Sequence, residues 1–185
     1  MASGTVTIRV ANKEKKEIME IMKPKGVKDS SITIVQQMTQ QDANLAGNVH
    51  GGVIMKLIDN TAGIVAARHC QSNVVTASID QLNFHSPVFI GDLLRIIAAI
   101  NHIGKTSMEL GVRVEAENAF TGEVRHTASA YLTFVALDAT LKPRPIPPVT
   151  FETEEEKRRN SEAAERRRTR LEQKGKGHKQ NRKTG

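Results

Sequence analysis

A polar, glycine-containing loop over residues 42–52 runs directly into an apolar stretch that begins at Val53, and one carboxylate, Asp59, follows about two turns inside it. The first N–H groups of a helix have no intrahelical partner, so a helix that begins here would attract developing negative charge. A carboxylate in apolar surroundings can act as a base or a nucleophile near neutral pH. This combination predicts chemistry on a carbonyl carbon.

Gly51 and Gly52 are the residues of this loop that could hold a carbonyl oxygen as it gains charge. Without side chains they let a substrate approach the backbone closely, and their N–H groups would lie at the positive end of the predicted helix. A tight turn from loop to helix would also suit two glycines. His50, just before them, could act as a general base, although an isolated histidine beside glycines is more often a structural hydrogen-bonding residue.

Asn44 and Asp59 each allow a structural and a catalytic interpretation. Asn44 is a typical turn residue, or its amide orients a water molecule or the carbonyl oxygen. Taken on position alone, Asp59 is better explained as a partly exposed helix acid that pairs with Lys56, one turn earlier. As a catalyst, Asp59 would either activate water or attack the carbonyl directly to give a transient anhydride, and both routes stay open.

Size and composition limit the class of protein. The chain has 185 residues, of which 38% are hydrophobic, enough for one ordinary domain with an appendage. Cys70 is the only cysteine, which excludes an internal disulfide and a cysteine metal cluster. The spacing of the four histidines between residue 60 and the tail is not that of metal ligands; they are His69, His85, His102 and His126. No apolar run reaches the ~18 residues that a membrane helix needs, and no N-terminal signal pattern is present, so a cytoplasmic location is expected.

The net charge of +7 belongs mostly to the C-terminal tail. From Phe151 onward the chain has 12 Lys or Arg and 7 Asp or Glu, whereas residues 1–150 have 15 and 13. The favoured interpretation of the tail is a solvated helix, and the alternatives are an arm that stabilises an oligomer or an anion-binding patch. The tail after Phe151 has no aromatic residue to stack on bases, so no nucleic-acid partner is predicted.

The predicted elements place the loop and the carboxylate within one layered domain. The helix over 53–69 is apolar around nearly its whole circumference, which predicts burial on more than one face. The other predicted elements are a short helix over 17–22, strands over 31–39, 73–84, 92–103, 106–118 and 125–137, an exposed charged helix over 152–174, and disorder from Lys174 to Gly185. This order predicts an α+β fold in which one helix packs on a curved antiparallel sheet. The expected boundaries are a polar segment over 1–28, the domain over 29–148 and the charged tail over 149–185.

Several sequence segments together resemble the acyl-CoA thioesterases of the hotdog superfamily, in the cytosolic long-chain or brain acyl-CoA hydrolase group and its bacterial relatives. These segments are Asp42-Ala43-Asn44, Gly47 to Gly52, Met55 to Asp59, Ala62 to Cys70, Val75 to Asp80, Asn83-Phe84, Gly91-Asp92 and Gly104 to Glu109. A lone His-Gly-Gly would be a weak signal, whereas the ordered series is specific. It extends over roughly residues 31–148.

The resemblance implies a single hotdog domain that hydrolyses acyl-CoA to a free fatty acid and coenzyme A. Its catalytic pair corresponds to Asn44 in the loop and Asp59 in the helix. Tandem relatives divide this pair between two domains, so a one-domain chain with both residues is expected to form its sites by oligomerising, as a dimer and plausibly a dimer-based hexamer. No metal and no cofactor are expected, since coenzyme A enters as part of the substrate.

The segment Gly104-Lys105-Thr106-Ser107 is first a hairpin turn, because it lacks the glycine spacing of a phosphate-binding loop. By resemblance it lies near the coenzyme A pocket, where Lys105, Thr106 and Ser107 would bind the substrate. Two other functions stay open. The first is a non-catalytic acyl-CoA-binding regulator, and the second is a hotdog dehydratase acting on hydroxyacyl thioesters, which would need a histidine paired with an acid.

Overall fold

The computed structural model describes residues 22–181, with side chains as far as residue 172. The predicted helix over 17–22 lies almost entirely outside this range. In chain order the elements are β1 (Lys25–Gly26), α1 (Val27–Ser30), β2 (Ile32–Gln37), a 3₁₀ turn (Gln40–Asp42), α2 (Gly51–Cys70), β3 (Asn73–Phe84), β4 (Leu93–Ile103), β5 (Ser107–Glu117), β6 (Val124–Leu137), β7 (Val149–Thr150) and α3 (Glu154–Asn181). The predicted long helix and the five predicted strands are confirmed to within two residues at each end.

The five long strands form one antiparallel sheet in the order β2-β4-β5-β6-β3, so β2 and β3 are its edges. Along the register, Val135 of β6 lies opposite both Val75 of β3 and Ser107 of β5. Two register shifts interrupt the pairing of β3 with β6, and such bulges increase the local twist. The short strands β1 and β7 form a separate parallel pair that joins the two ends of the domain.

The core lies between α2 and the inner face of the sheet. On α2 the buried apolar positions follow a helical period: Ile54, Ile58, Ala62, Val65 and Ala66. On the sheet, alternate residues of β4, β5 and β6 face them, as a pleated strand requires: Leu94, Ile96, Ala98, Leu110, Val112, Val114, Ala128, Ala130, Leu132 and Phe134. The expected α+β architecture of one long helix packed on a curved antiparallel sheet is therefore confirmed.

The prediction that this helix is buried on more than one face is wrong for the single chain. Met55 and Ile64 remain 40% exposed, because only one side of α2 contacts the sheet. Edge strand β3 also exposes large apolar side chains. We call Met55 with Ile79 and Phe84 the apolar flank, since each is 40–50% exposed and all lie on α2 or on the face of β3 that is turned toward it.

Helix α3 differs from the solvated helix that the charge pattern predicted, because it packs across the outer face of the sheet. The Nδ1–H of His102 in β4 donates a 2.8 Å hydrogen bond to Oδ1 of Asn160. Ala163 is fully buried, and Arg170 pairs with Asp80 of β3. The backbone of α3 is helical to Asn181, whereas the sequence pattern predicted disorder from Lys174 onward. The sheet therefore lies between two helical layers.

A buried ion pair attaches α3 to the middle of the sheet. Glu109 of β5 is only 3% exposed, and its carboxylate lies 2.7 Å from the guanidinium of Arg166. That guanidinium also lies over the ring of Tyr131 at 3.9 Å, while Asn101 donates to the Glu109 carboxylate at 3.3 Å. A buried charge is tolerated when it is paired and hydrogen-bonded, which explains how an acid fits on this face.

Near the C-terminal end of α2, the fully buried His69 connects three segments of the chain. The Nε2–H of His69 donates to the carbonyl of Pro147 at 2.9 Å, and Nδ1 accepts from the hydroxyl of Ser30 at 3.0 Å. Pro147 has only an acceptor to offer, which determines the tautomer. Burial lowers the pKa of His69, the largest of the effects on it, so the fold requires the neutral ring.

Because the folded state lowers the pKa of His69, this residue makes the unfolding free energy decrease as the pH falls. The unfolded ring titrates at a pKa of about 6.5 and the folded ring below it, so the stabilisation is complete above about pH 6.5 and is lost as the pH falls through the folded value. We expect the unfolding free energy of the native protein to fall more steeply from about pH 7 to about pH 5 than that of a His69→Gln variant. Urea titrations at each pH measure this difference, and parallel curves would contradict the assignment.

Candidate active site

The N-terminus of α2 is capped by the histidine that precedes it. The Nδ1 atom of His50 accepts a 2.8 Å hydrogen bond from the N–H of Gly52, and the backbone N–H of His50 donates to the carbonyl of Asp42 at 2.8 Å. A side-chain acceptor before the first helical residue satisfies one of the otherwise unpaired donors. The structural interpretation of His50 therefore accounts for its ring better than that of a general base, since Nδ1 is already engaged.

This cap changes the predicted pair of oxygen-binding amides. Because the N–H of Gly52 donates to His50, it does not point freely at a substrate, and the expectation for Gly52 is corrected. The N–H of Gly51 has no acceptor among residues 22–172. The ring of Phe84 lies over Gly51 so closely that a Cβ added there would be 3.5 Å from Cζ. Gly51 thus presents one unengaged donor at the positive end of α2, beneath an aromatic ring.

Asn44 serves both as a turn residue and as a possible binding group. Its Oδ1 accepts hydrogen bonds from the N–H of Ala46 at 2.8 Å and of Asn48 at 3.2 Å, which is an Asx-type turn. These two donors determine which end of the amide is oxygen. Its Nδ2 has no partner in the described part of the chain, so Asn44 offers a donor to an oxygen atom of a substrate or of water.

Asn44 and Gly51 line one groove of about 380 Å³ at the surface. We call it the Asn44 pocket; its remaining lining residues are Asn48, Val49, Ile54, Phe84, His85, Ser86, Pro87 and Val88. Its lining combines five apolar residues with polar ones, and such a combination can bind a small organic ligand.

Asp59 lies away from this pocket in the same chain. It is eight residues beyond Gly51 on α2, which is about 12 Å along the helix axis. Its Oδ1 accepts a 2.7 Å hydrogen bond from the hydroxyl of Thr76 in β3, and within the described residues no ion pair joins it to Lys56. The structure therefore brings Asn44, His50 and Gly51 together and holds Asp59 apart.

Thr76 is a residue that the sequence reasoning did not identify as part of the site. Its hydroxyl holds one oxygen of the Asp59 carboxylate, and the other oxygen is left for a substrate or water. Thr76 stood within the segments that resemble the family, but nothing in the sequence indicated which helix residue it would contact. A hydroxyl on an edge strand has the same appearance as any other β-branched strand residue.

The turn over residues 104–107 joins β4 to β5, as its hairpin interpretation predicted. The N–H of Gly104 donates to the carbonyl of Ser107 at 2.7 Å, and the carbonyl of Thr106 accepts from Ala136 at 3.1 Å. Lys105 at the tip is exposed. The guanidinium of Arg167 in α3 lies over Gly104, where an added Cβ would be 3.0 Å from Nη2. This second cation at the turn was not expected from the sequence.

The turn and Thr76 lie at the same end of the sheet. Val135 is opposite both Ser107 and Val75, so the turn is two strands, or about 10 Å, from the strand of Thr76.

Within the described residues, no group of three or more histidine, cysteine, aspartate or glutamate side chains could hold a metal ion. Over the same range, no helix combines the length and the apolar character needed to cross a membrane.

Comparison with known proteins agrees with this geometry. A family model of the thioesterase superfamily matches residues 46–119. The chain is 41% identical over 141 residues to the cytosolic acyl coenzyme A thioester hydrolase of Mus musculus. The aligned region makes up 75% of this chain and 37% of the mouse protein. The chain thus spans less than half the length of that relative.

Shorter relatives match over most of their length. The uncharacterized acyl-CoA thioester hydrolase YkhA of Bacillus subtilis is 39% identical over 138 residues, 75% of this chain and 80% of YkhA. A hexameric acyl-CoA thioesterase has a TM-score of 0.79 at 38% identity, covering 82% of this chain and 97% of its own. The acyl-CoA hydrolase of Staphylococcus aureus, solved with butyryl coenzyme A, has a TM-score of 0.78 at 33% identity over 84% of this chain and 95% of its own. With such identity over nearly whole relatives, and with the helix and sheet described above, the chain belongs to the acyl-CoA thioester hydrolases of the hotdog thioesterase superfamily.

Proposed function

We propose that the protein hydrolyses the thioester bond of an acyl-CoA to give a carboxylic acid and coenzyme A. The main observation is that the chain presents two half-sites: a carboxylate held by Thr76, and an unengaged helix-terminal N–H at Gly51 beside Asn44. An N–H at a helix end stabilises an oxygen that gains negative charge, and a carboxylate supplies the base or nucleophile. The names of the relatives support the same reaction.

The spacing of residues altered in a relative supports the choice of Asn44, Asp59 and Thr76. Solved structures of the Staphylococcus aureus enzyme include alanine variants of one asparagine, one aspartate and one threonine. That asparagine lies fifteen positions before the aspartate, and the threonine lies seventeen positions after it. Asn44, Asp59 and Thr76 have the same order and the same separations.

Two copies of the chain are needed to bring the half-sites together. Strand β3 is an unpaired edge of the sheet, and the apolar flank extends along it. If two β3 strands pair antiparallel about Ile79 and Asp80, position 76 of one copy faces position 83 of the other, next to Phe84. Thr76 and Asp59 of one subunit would then face the Asn44 pocket of the second. Burial of the apolar flank would supply the driving force.

Further assembly into a dimer-based hexamer is supported by two structurally similar chains that are described as hexameric. A cytoplasmic location is supported by the cytosolic relative from mouse.

For the nucleotide end of the substrate, we infer that Lys105 at the β4–β5 turn binds a phosphate, with Thr106 and Ser107 beside it. Arg167 adds a second cation at this turn. A Lys105→Ala variant with an unchanged KM for acyl-CoA would remove this turn from the site.

We infer the following reaction from the proposed arrangement of these groups in the dimer. The N–H of Gly51 and the Nδ2 of Asn44 donate to the thioester oxygen and polarise the carbonyl. Asp59 of the other subunit removes a proton from a water molecule, whose oxygen attacks the carbonyl carbon; the C–S bond then breaks and coenzyme A leaves as the thiolate. Alternatively, Asp59 attacks the carbon itself, and water hydrolyses the resulting anhydride. Neither route needs a redox step.

Release of free thiol from palmitoyl-CoA and from short acyl-CoAs tests the proposal, with a thiol-reactive dye as the reporter. We expect turnover with at least one chain length. Binding of acyl-CoA without thiol release would instead indicate a regulator. Dehydration of a hydroxyacyl-CoA with no thiol release would indicate a dehydratase.

A further inference from the structure

Helix α3 crosses the outer face of the sheet at nearly a right angle to the strands. Three of its residues contact successive strands: Asn160 with His102 of β4, Arg166 with Glu109 of β5, and Arg170 with Asp80 of β3. From Asn160 to Arg170 the helix advances about 15 Å, and the three strand spacings from β4 to β3 amount to about 14 Å. The helix therefore reaches the β3 edge at about Arg170.

Beyond Arg170 the helix continues past the edge of its own sheet. Its backbone is helical to Asn181, so residues 171–181 add about 16 Å of helix. Leu171, the first residue of this part, is 52% exposed. Because β3 is an edge strand among the described residues, no further strand of the sheet lies beneath this end of α3. The end of α3 thus extends away from the sheet of its own chain.

A groove on the outer face of the sheet follows the side of α3 that is turned away from Gly104. Two cavities of about 290 and 360 Å³ form it, and Arg166 lines both. Small residues form part of its floor: Ala99, Gly111 and Ser129. Its wall on α3 includes one stripe at helical spacing: Glu155, Arg159, Glu162, Arg166 and Thr169. We call it the α3 groove, and it leaves room for a second helix beside α3.

The strand pairing shows which residues lie under α3 and which lie under the α3 groove. The row under α3, paired side by side from β4 to β3, is His102, Glu109, Thr133 and Ser78. The row under the α3 groove is Ala99, Gly111, Tyr131 and Gln81. In the β3–β3 dimer proposed above, position 78 of one subunit faces position 81 of the other. The row under α3 in one subunit therefore continues as the groove row of the second.

We propose that residues 171–181 dock in the α3 groove of a second copy of the chain, so that the two α3 helices lie antiparallel across the two-fold axis. The inference rests on the dimer of the proposed function. The 16 Å of helix past the edge is long enough to cross β3, β6 and β5 of the second subunit, three spacings of about 4.8 Å. This contact strengthens the dimer that completes each site.

The spacing across the α3 groove agrees with two helices side by side. Packed helices lie about 8–10 Å apart. The rows of Thr133, Tyr131 and Ser129 follow one another at about 7 Å, so a helix at that distance from α3 lies between the second and the third row. Both of these rows line the α3 groove. Its lining carries both signs of charge, and so do residues 171–181, which include Glu172 and Lys174.

Cross-linking between two different single-cysteine chains tests the contact. Position 178 is about 12 Å beyond Arg170, between β6 and β5 of the second subunit, and Arg113 of β5 lines the α3 groove with a 53% exposed side chain. We mix Arg113→Cys chains with tagged His178→Cys chains and add a short bis-maleimide. We expect a hybrid covalent dimer on a denaturing gel. Only a contact between chains gives this product, since the native Cys70 is buried.

Glu123→Cys is the matched control for Arg113→Cys. Glu123 is also exposed, but it lies in the turn between β5 and β6, at the far end of the sheet. It should give no hybrid product with His178→Cys. A dimeric protein whose Arg113→Cys chains cross-link no better than the Glu123→Cys control would overturn the inference, as would a native chain that is monomeric.

Gly175→Pro tests the same contact in the full-length chain. Proline interrupts the end of α3 and leaves the contacts of Asn160, Arg166 and Arg170 in place. We expect subunits of this variant to exchange about tenfold faster or more, with kcat unchanged at high protein concentration. Gly185→Pro, beyond the end of the helix, should exchange at the native rate. An unchanged exchange rate for Gly175→Pro would overturn the inference. A cross-linked dimer that releases no thiol from any acyl-CoA would instead contradict the proposed function.

Discussion

An Asp59→Asn variant is expected to fold normally and to lose about 10²- to 10⁴-fold in kcat for acyl-CoA hydrolysis. The amide has nearly the shape of the carboxylate, and its oxygen can still accept the hydrogen bond that Thr76 now gives to Asp59. It can neither remove a proton from water nor attack the carbonyl carbon. Because the side chain is only partly buried, the substitution leaves no cavity and no unpaired buried charge.

Thiol release measures the loss, and thermal unfolding verifies that the variant is folded. Asn60→Ala is a suitable control, because Asn60 is the next residue of α2 and is exposed. It should keep nearly native turnover. A kcat for Asp59→Asn within a few-fold of the native value would remove Asp59 from the mechanism. The helix-terminal N–H of Gly51 would then need another partner.

Mixing Asn44→Ala chains with Asp59→Ala chains is expected to restore activity that neither variant has alone. In a two-fold dimer each site would take Asn44 from one subunit and Asp59 from the other. A hybrid dimer then contains one site in which both residues are intact and one in which both are replaced. Random exchange makes about half of the dimers hybrid, so we expect recovery of about a quarter of the native activity.

The physical reason is the distance within one chain. Asp59 and the Asn44 pocket are separated by about 12 Å of helix, which a thioester group cannot span. Subunit exchange is verified by mass spectrometry of differently labelled chains, and refolded mixtures of each variant with itself provide the baseline. Complete exchange with no recovery would contradict a site shared between subunits.

Local sequence patterns determined most of the elements. Alternation of apolar residues predicted β3 to β6, and the long apolar segment predicted α2, because burial on one side imposes a period on any strand or helix. Helix α2 begins at Gly51, two residues before the predicted start at Val53. The reason is that the side chain of His50 caps the helix, so its first turn precedes the first apolar residue. Helix α3 was predicted correctly as a helix but incorrectly as solvated. Its contacts with Glu109 and Asp80 join residues far apart in the chain, which no local pattern reveals.

Residue types and their order by themselves determined the chemistry proposed for this protein: a glycine-containing loop before an apolar helix, with one carboxylate inside it. Only the tertiary structure decided which groups are available to a substrate. It engaged Gly52 with His50 and placed Thr76 against Asp59. Hydrogen bonds between distant segments depend on how strands and helices pack, and an unengaged donor is recognised only after every nearby acceptor has been placed.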